Sequence, residues 1–198
     1  HYDSAVQRVV FASGEWDGSS WSQVPPPSVS GAVGTTLLAV DALRHERIAT
    51  TNGTDGRFRT ARYDGTRWRS VARRPPPFLV HDTLRQRTLG IGTLDGGGAT
   101  NIWLWDGRTF EPLATNSVVP SYGMRFPPIH DPVRDVLLVF APGPGGAHSW
   151  HELRCTDWQR IGGGVLPLNG TMSFCFDAQR NRLVLEGYQY GGPGQTWE

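Results

Sequence analysis

The sequence predicts an all-β fold built from about five copies of a four-stranded antiparallel sheet, and three observations predict it. The chain has 25 Gly and 15 Pro among 198 residues, and only 19% of its residues are charged, a balance typical of many short strands joined by turns. Two sequence phrases alternate along the chain. Together they define a unit of about 45 residues, which cannot bury both faces of its own sheet, so neighbouring units must stack.

The first phrase is a turn flanked by aromatic residues. It reads WDGSSW from Trp16, YDGTRW from Tyr63 and WDGRTF from Trp105. The Asp-Gly dipeptide favours a tight hairpin because Gly tolerates positive φ. The aromatic that closes the phrase recurs at intervals of 47, 42 and 48 residues, as Trp21, Trp68, Phe110 and Trp158.

The second phrase is an apolar residue or His, then Asp, a short turn, an apolar run and Gly, as in VDALRHERIATTNG. Its aspartates are separated by 38, 41, 49 and 46 residues: Asp3, Asp41, Asp82, Asp131 and Asp177. Arg follows three positions later in four of the five copies, as Arg44, Arg85, Arg134 and Arg180. Because the two phrases alternate, each copy is predicted to form a meander of four short strands.

The domain prediction follows from these copies. We expect one domain over residues 1–198, with repeats at about 1–24, 35–71, 76–113, 124–161 and 171–198. The first copy lacks about nine residues of its middle loop and third strand relative to the others, and Trp197 matches Trp103, so the terminal copies are expected to be incomplete. Three possibilities stay open: a complete set of five copies closed by both termini, part of a larger ring, or a chain that lacks one loop.

The two phrases together resemble those of the kelch-type β-propeller, in a bacterial-looking variant. The resemblance covers nearly the whole chain, although the paired glycines of the family survive mainly as single ones and the fourth copy has LRCTD in place of the Trp-Asp-Gly turn. The resemblance implies a β-propeller of about five four-stranded blades and a binding role. It does not imply a reaction, because such propellers serve both as interaction modules and as enzymes.

Charge and composition narrow the possible partners. The formal net charge is +1 and all 19 basic residues are Arg, so the overall field is too weak to predict nucleic-acid binding. No apolar run approaches the roughly 18 residues of a membrane span, so no membrane insertion is predicted. No cofactor is predicted, and a secreted or cell-envelope location is favoured over the cytoplasm. Cys155 and Cys175 either form one disulfide or are small apolar strand residues.

Candidate binding residues are expected on the loops between second and third strands, which share one edge with the links between copies. Arg57, Arg59, Arg73 and Arg74 are a candidate patch for an acidic or phosphorylated partner, or a solvated rim. Trp150, Tyr188 and Tyr190 are a candidate platform for a sugar or peptide, or packing between blades. The Asp-Arg and Asp-Gly turns at the opposite edge are expected to be structural, because they recur in copy after copy, whereas a ligand site needs asymmetry.

Catalytic and metal motifs give little support to a reaction. The sequence has no G-x-S-x-G, P-loop or H-E-x-x-H motif. His81 and His130 occupy the same repeat position and are interpreted as structural rather than as metal ligands. The predicted function is therefore a non-catalytic scaffold that binds a protein or glycan partner. The alternative is a carbohydrate-active enzyme, of oxidase or sugar isomerase type, that uses the central channel.

Overall fold

A computed structural model of the chain shows an all-β protein with five small antiparallel sheets, the blades of a β-propeller, which confirms the predicted fold class. The residues that the structure describes are 2–3, 7–10, 14–27, 32–41, 43–71, 76–92, 101–113, 126–142, 148–163, 172–177, 179–188 and 194–197. Within these ranges there is no helix at all, and so none that is long and apolar enough to cross a membrane. The chain forms two compact units, residues 1–113 and 114–198. The prediction of a single domain therefore stays a prediction.

The first unit contains three blades, each a meander in which successive strands pair antiparallel. Blade one comprises β1 (Tyr2–Asp3), β2 (Arg8–Val10), β3 (Gly14–Trp16) and β4 (Trp21–Gln23). Blade two comprises β5 (Ala32–Asp41), β6 (Glu46–Gly53), β7 (Phe58–Tyr63) and β8 (Trp68–Ser70). Blade three comprises β9 (Phe78–Asp82), β10 (Arg87–Gly92), β11 (Asn101–Trp105) and β12 (Phe110–Leu113). Blade one keeps four strands, but each has only two or three residues.

The second unit contains the remaining two blades. Blade four comprises β13 (Ile129–Asp131), β14 (Val136–Pro142), β15 (His148–Arg154) and β16 (Asp157–Gly163). Blade five comprises β17 (Met172–Asp177), β18 (Arg182–Tyr188) and β19 (Gly194–Trp197). The described part of blade five thus has three strands, in agreement with the expected incomplete last copy.

The Asp-Arg phrase forms the turn between the first two strands of a blade. In blade two, Asp41 Oδ1 accepts a hydrogen bond of 3.2 Å from the backbone N–H of Arg44, and Asp41 Oδ2 accepts one of 2.9 Å from its guanidinium. The residue after Arg44, His45, has a φ of 53°, and the matching residue of every other blade also has positive φ. The phrase therefore recurs because one carboxylate and one left-handed residue close each turn.

The Asp-Gly phrase forms the hairpin between the last two strands. In blade three, Asp106 Oδ1 accepts hydrogen bonds from the backbone N–H groups of Arg108 (2.6 Å) and Thr109 (2.7 Å), and Gly107 has a φ of 97°. Blade four departs from this pattern, because Arg154 replaces the Asp and Cys155, at φ 53°, replaces the Gly. Cys155 is therefore a turn residue and not a strand residue, which corrects the sequence prediction.

Candidate functional site

In the first unit, the outer groove between blades two and three is filled by an aromatic hairpin. Trp105 and Phe110 of blade three are only 2% and 7% exposed, and their ring centroids lie 4.9 Å apart. They pack against Ala39 and Ile48 of blade two and against Leu79 of their own blade. The hairpin thus buries the apolar surface that blade two presents to its neighbour.

Polar contacts fix the tip of this hairpin on blade two. Arg44 Nη2 donates a 2.8 Å hydrogen bond to the Asp106 carbonyl, and Arg62 Nη1 donates one of 3.1 Å to the Gly107 carbonyl. A Cβ atom at Gly107 would lie 2.4 Å from Arg44 Nε. Only glycine therefore allows so close an approach of the turn to the arginine.

The equivalent space in the second unit, between blades four and five, is an open cleft. Its volume is about 360 Å³. Trp197 pairs with Leu185 as Trp103 pairs with Gly90, so the positions that match Trp105 and Phe110 come after residue 198. We call this space the 4/5 cleft, and its lining residues are Asp131, Arg134, Leu138, Trp150, Ile161, Gly162, Phe176, Asn181 and Leu183.

One wall of the 4/5 cleft is aromatic where the corresponding part of blade two is not. Phe140 and Trp150 are paired across β14 and β15, in the same register as Thr50 and Thr60 of blade two. The centroid of the Trp150 ring lies 5.0 Å from that of the Phe140 ring. It lies 5.4 Å from the centroid of the Phe174 ring of blade five, and these two rings meet edge to face. Because these contacts hold the Trp150 indole in place, it is a preorganised surface for a ligand.

Two of the lining residues, Asp131 and Arg134, belong to a chain of four charged side chains. Asp131 Oδ2 accepts a hydrogen bond of 2.8 Å from Arg134 Nε. Glu152 accepts two hydrogen bonds, one of 3.2 Å at Oε2 from Arg134 Nη2 and one of 2.6 Å at Oε1 from Arg154 Nε. The carboxylates are each 4% exposed, whereas the Arg134 side chain is 43% exposed. Among the contacts of the described residues, Arg134 Nη1 has no partner and can donate to a ligand.

Asn181 adds a second polar group at the cleft. It has a φ of 52° in the β17–β18 turn, a conformation that Asn tolerates better than most residues. Its side chain is exposed and makes no hydrogen bond to any described residue. The cleft therefore combines an aromatic wall with an arginine donor and an amide that both donates and accepts.

The predicted aromatic platform is described only in part. Trp150 lies in the 4/5 cleft, whereas Tyr190 and the side chain of Tyr188 lie outside the described residues. The Tyr188 backbone pairs with Gly194. The grouping of the three aromatics therefore stays a prediction, with Trp150 as its described member.

The predicted arginine patch is also described in part. Arg59 forms an ion pair with Asp55, 2.8 Å between Nη1 and Oδ1, in the β6–β7 loop. Arg57 is exposed in the same loop, while Arg73 and Arg74 lie outside the described residues. Whether the four bind one partner stays a prediction.

The histidines and cysteines suggested by the sequence lie apart from the 4/5 cleft. His81 is buried in β9, and His130 Nε2 lies 3.9 Å from Asp135 Oδ1. Their structural interpretation stays a prediction. Cys155 and Cys175 are both free and exposed, so they do not form the disulfide that the sequence left open.

Sequence reasoning missed Arg134 and Asn181 as functional candidates, because the Asp-Arg turns were expected to be structural in every copy. The turn is structural in blade two, where a hairpin covers Arg44. In blade four the same turn borders an open cleft.

Comparison with solved structures agrees with the fold. The chain is similar to the BP39L lectin from Burkholderia pseudomallei, with a TM-score of 0.60 and 13% identity over 92% of this chain. It is also similar to a mutant of AofleA from Arthrobotrys oligospora with three arginines replaced by alanine, with a TM-score of 0.53 and 12% identity over 87% of this chain. The chain spans 58% of the length of the first protein and 56% of the second. No protein-family model and no curated protein matches the sequence.

Proposed function

We propose that the protein is a carbohydrate-binding β-propeller and that the 4/5 cleft is its binding site. The observation that supports this best is the lining of the 4/5 cleft, where the aromatic side chains of Trp150 and Phe176 lie beside the polar groups of Arg134 and Asn181. An open apolar cleft with a few directed polar groups is the usual form of a small-ligand site.

The chemistry of the cleft suits a sugar ring. A pyranose has an apolar C–H face that packs on the electron-rich face of an indole, and a rim of hydroxyls that need hydrogen-bond partners. Trp150 offers the apolar surface, while Arg134 Nη1 and the Asn181 amide offer the polar groups. A sugar is thereby favoured over a purely apolar ligand, which would leave these polar groups without partners.

Two further observations support a binding role. One of the structurally similar proteins is a lectin, and the two alternating phrases resemble kelch-type propellers, many of which are interaction scaffolds. We therefore keep a kelch-like identity as part of the proposal. A protein partner at Arg57, Arg59, Arg73 and Arg74, and the enzyme alternative, stay predictions.

Glycan-array binding of the wild-type protein tests the proposal, followed by titration of the bound glycans against two variants. Trp150→Ala removes the apolar wall and is expected to abolish measurable binding. Asn181→Gly keeps the positive φ of the turn and removes only the amide, so it is expected to weaken binding about tenfold.

Gln86→Gly is the matched control, because Gln86 has the same turn position and positive φ in blade three, outside the cleft. We expect it to bind glycan like the wild type. Unchanged binding in both Trp150→Ala and Asn181→Gly, with circular dichroism showing folded proteins, would remove the cleft as the site.

A further inference from the structure

We draw no further inference here: the strongest candidate, the surface patch of Leu43 and Leu84, two exposed leucines at the tips of equivalent turns in blades two and three, carries none because nothing in the structure shows what covers it.

Discussion

Two spaces in the molecule occupy equivalent positions in the repeat. One is the groove between blades two and three, and the other is the cleft between blades four and five. Ile48 and Leu138 both lie seven residues after the repeat Asp and both belong to the apolar core between blades. In the first unit Trp105 covers this surface, and in the second unit the corresponding surface borders the cleft. The proposed binding site therefore lies at a register that serves for packing in the first unit.

The comparison also shows which residues differ between blades two and four. A threonine pair, Thr50 and Thr60, becomes the aromatic pair Phe140 and Trp150, and Arg62 becomes Glu152. The hydroxyls of the two threonines lie 3.5 Å apart and both residues are buried, whereas Trp150 lines the cleft and Phe140 is buried. Among the described strands the aromatic pair occurs in blade four alone, whereas blade one has a glutamate, Glu15, in the register of Glu152.

The largest expected effect comes from emptying the filled groove. Trp105→Ala should lower the free energy of unfolding by about 3–5 kcal/mol, because the indole is fully buried and its removal leaves a cavity. Trp150→Ala should cost only about 1–2 kcal/mol, because Trp150 is partly exposed at the cleft. Urea unfolding followed by circular dichroism measures both, and equal losses would contradict the contrast between the two spaces.

A smaller effect separates two of the glycine turns in the first unit, those at Gly107 and Gly65. In Gly107→Ala, the new side chain would have to adopt a positive φ and would also meet the Arg44 side chain. We therefore expect the free energy of unfolding to fall by about 2 kcal/mol. In Gly65→Ala, the new side chain would also have positive φ, but its Cβ would meet no atom within 4 Å. We therefore expect the free energy of unfolding to fall by about 1 kcal/mol. A difference near zero between the two melting curves would show that the blade three turn is not pressed against Arg44.

The smallest effect concerns the Asp residues of the hairpins. The Thr66 hydroxyl, followed by the N–H groups of Arg67 and Thr66, holds the pKa of Asp64 well below its usual range. Because this pKa is lower in the folded state, the stabilisation is complete above the ordinary aspartate pKa of about 3.9 and is lost as the pH falls toward the folded value. Thr66→Val should raise the Asp64 titration midpoint in carboxyl-detected NMR.

Asp17 is the internal control for this titration. Its pKa is lowered mainly by the N–H of Ser20, in a separate hairpin. The Asp17 midpoint should therefore stay the same in Thr66→Val. If the Asp64 midpoint does not move, the hydroxyl is not the main cause of its lowered pKa.

The fold could be predicted from the sequence because its signals are local and repeated. Asp41 and Asp106 each close a turn through backbone N–H groups only a few residues away, and such turns with strands between them define a blade. The alternation of two phrases then gives the number of blades.

The site could be predicted only in part. Trp150 was identified because aromatic residues near loops are common anchors. Arg134 is predicted to be structural because it follows the repeat Asp by three residues, as Arg44 does, and the difference between the two arginines lies in their three-dimensional contacts. Whether a hairpin covers such a turn depends on the following blade, which lies tens of residues away in the chain.

The central claim is that the 4/5 cleft is open to ligand while the groove of the first unit is filled, and fluorine NMR of protein labelled with 5-fluorotryptophan tests it most directly. The Trp150 and Trp105 signals are assigned with Trp150→Phe and Trp105→Phe, and a glycan found on the array is then titrated. We predict that the Trp150 signal shifts with saturation and the Trp105 signal does not. A shift of Trp105, or saturable binding that leaves Trp150 unmoved, would contradict the claim.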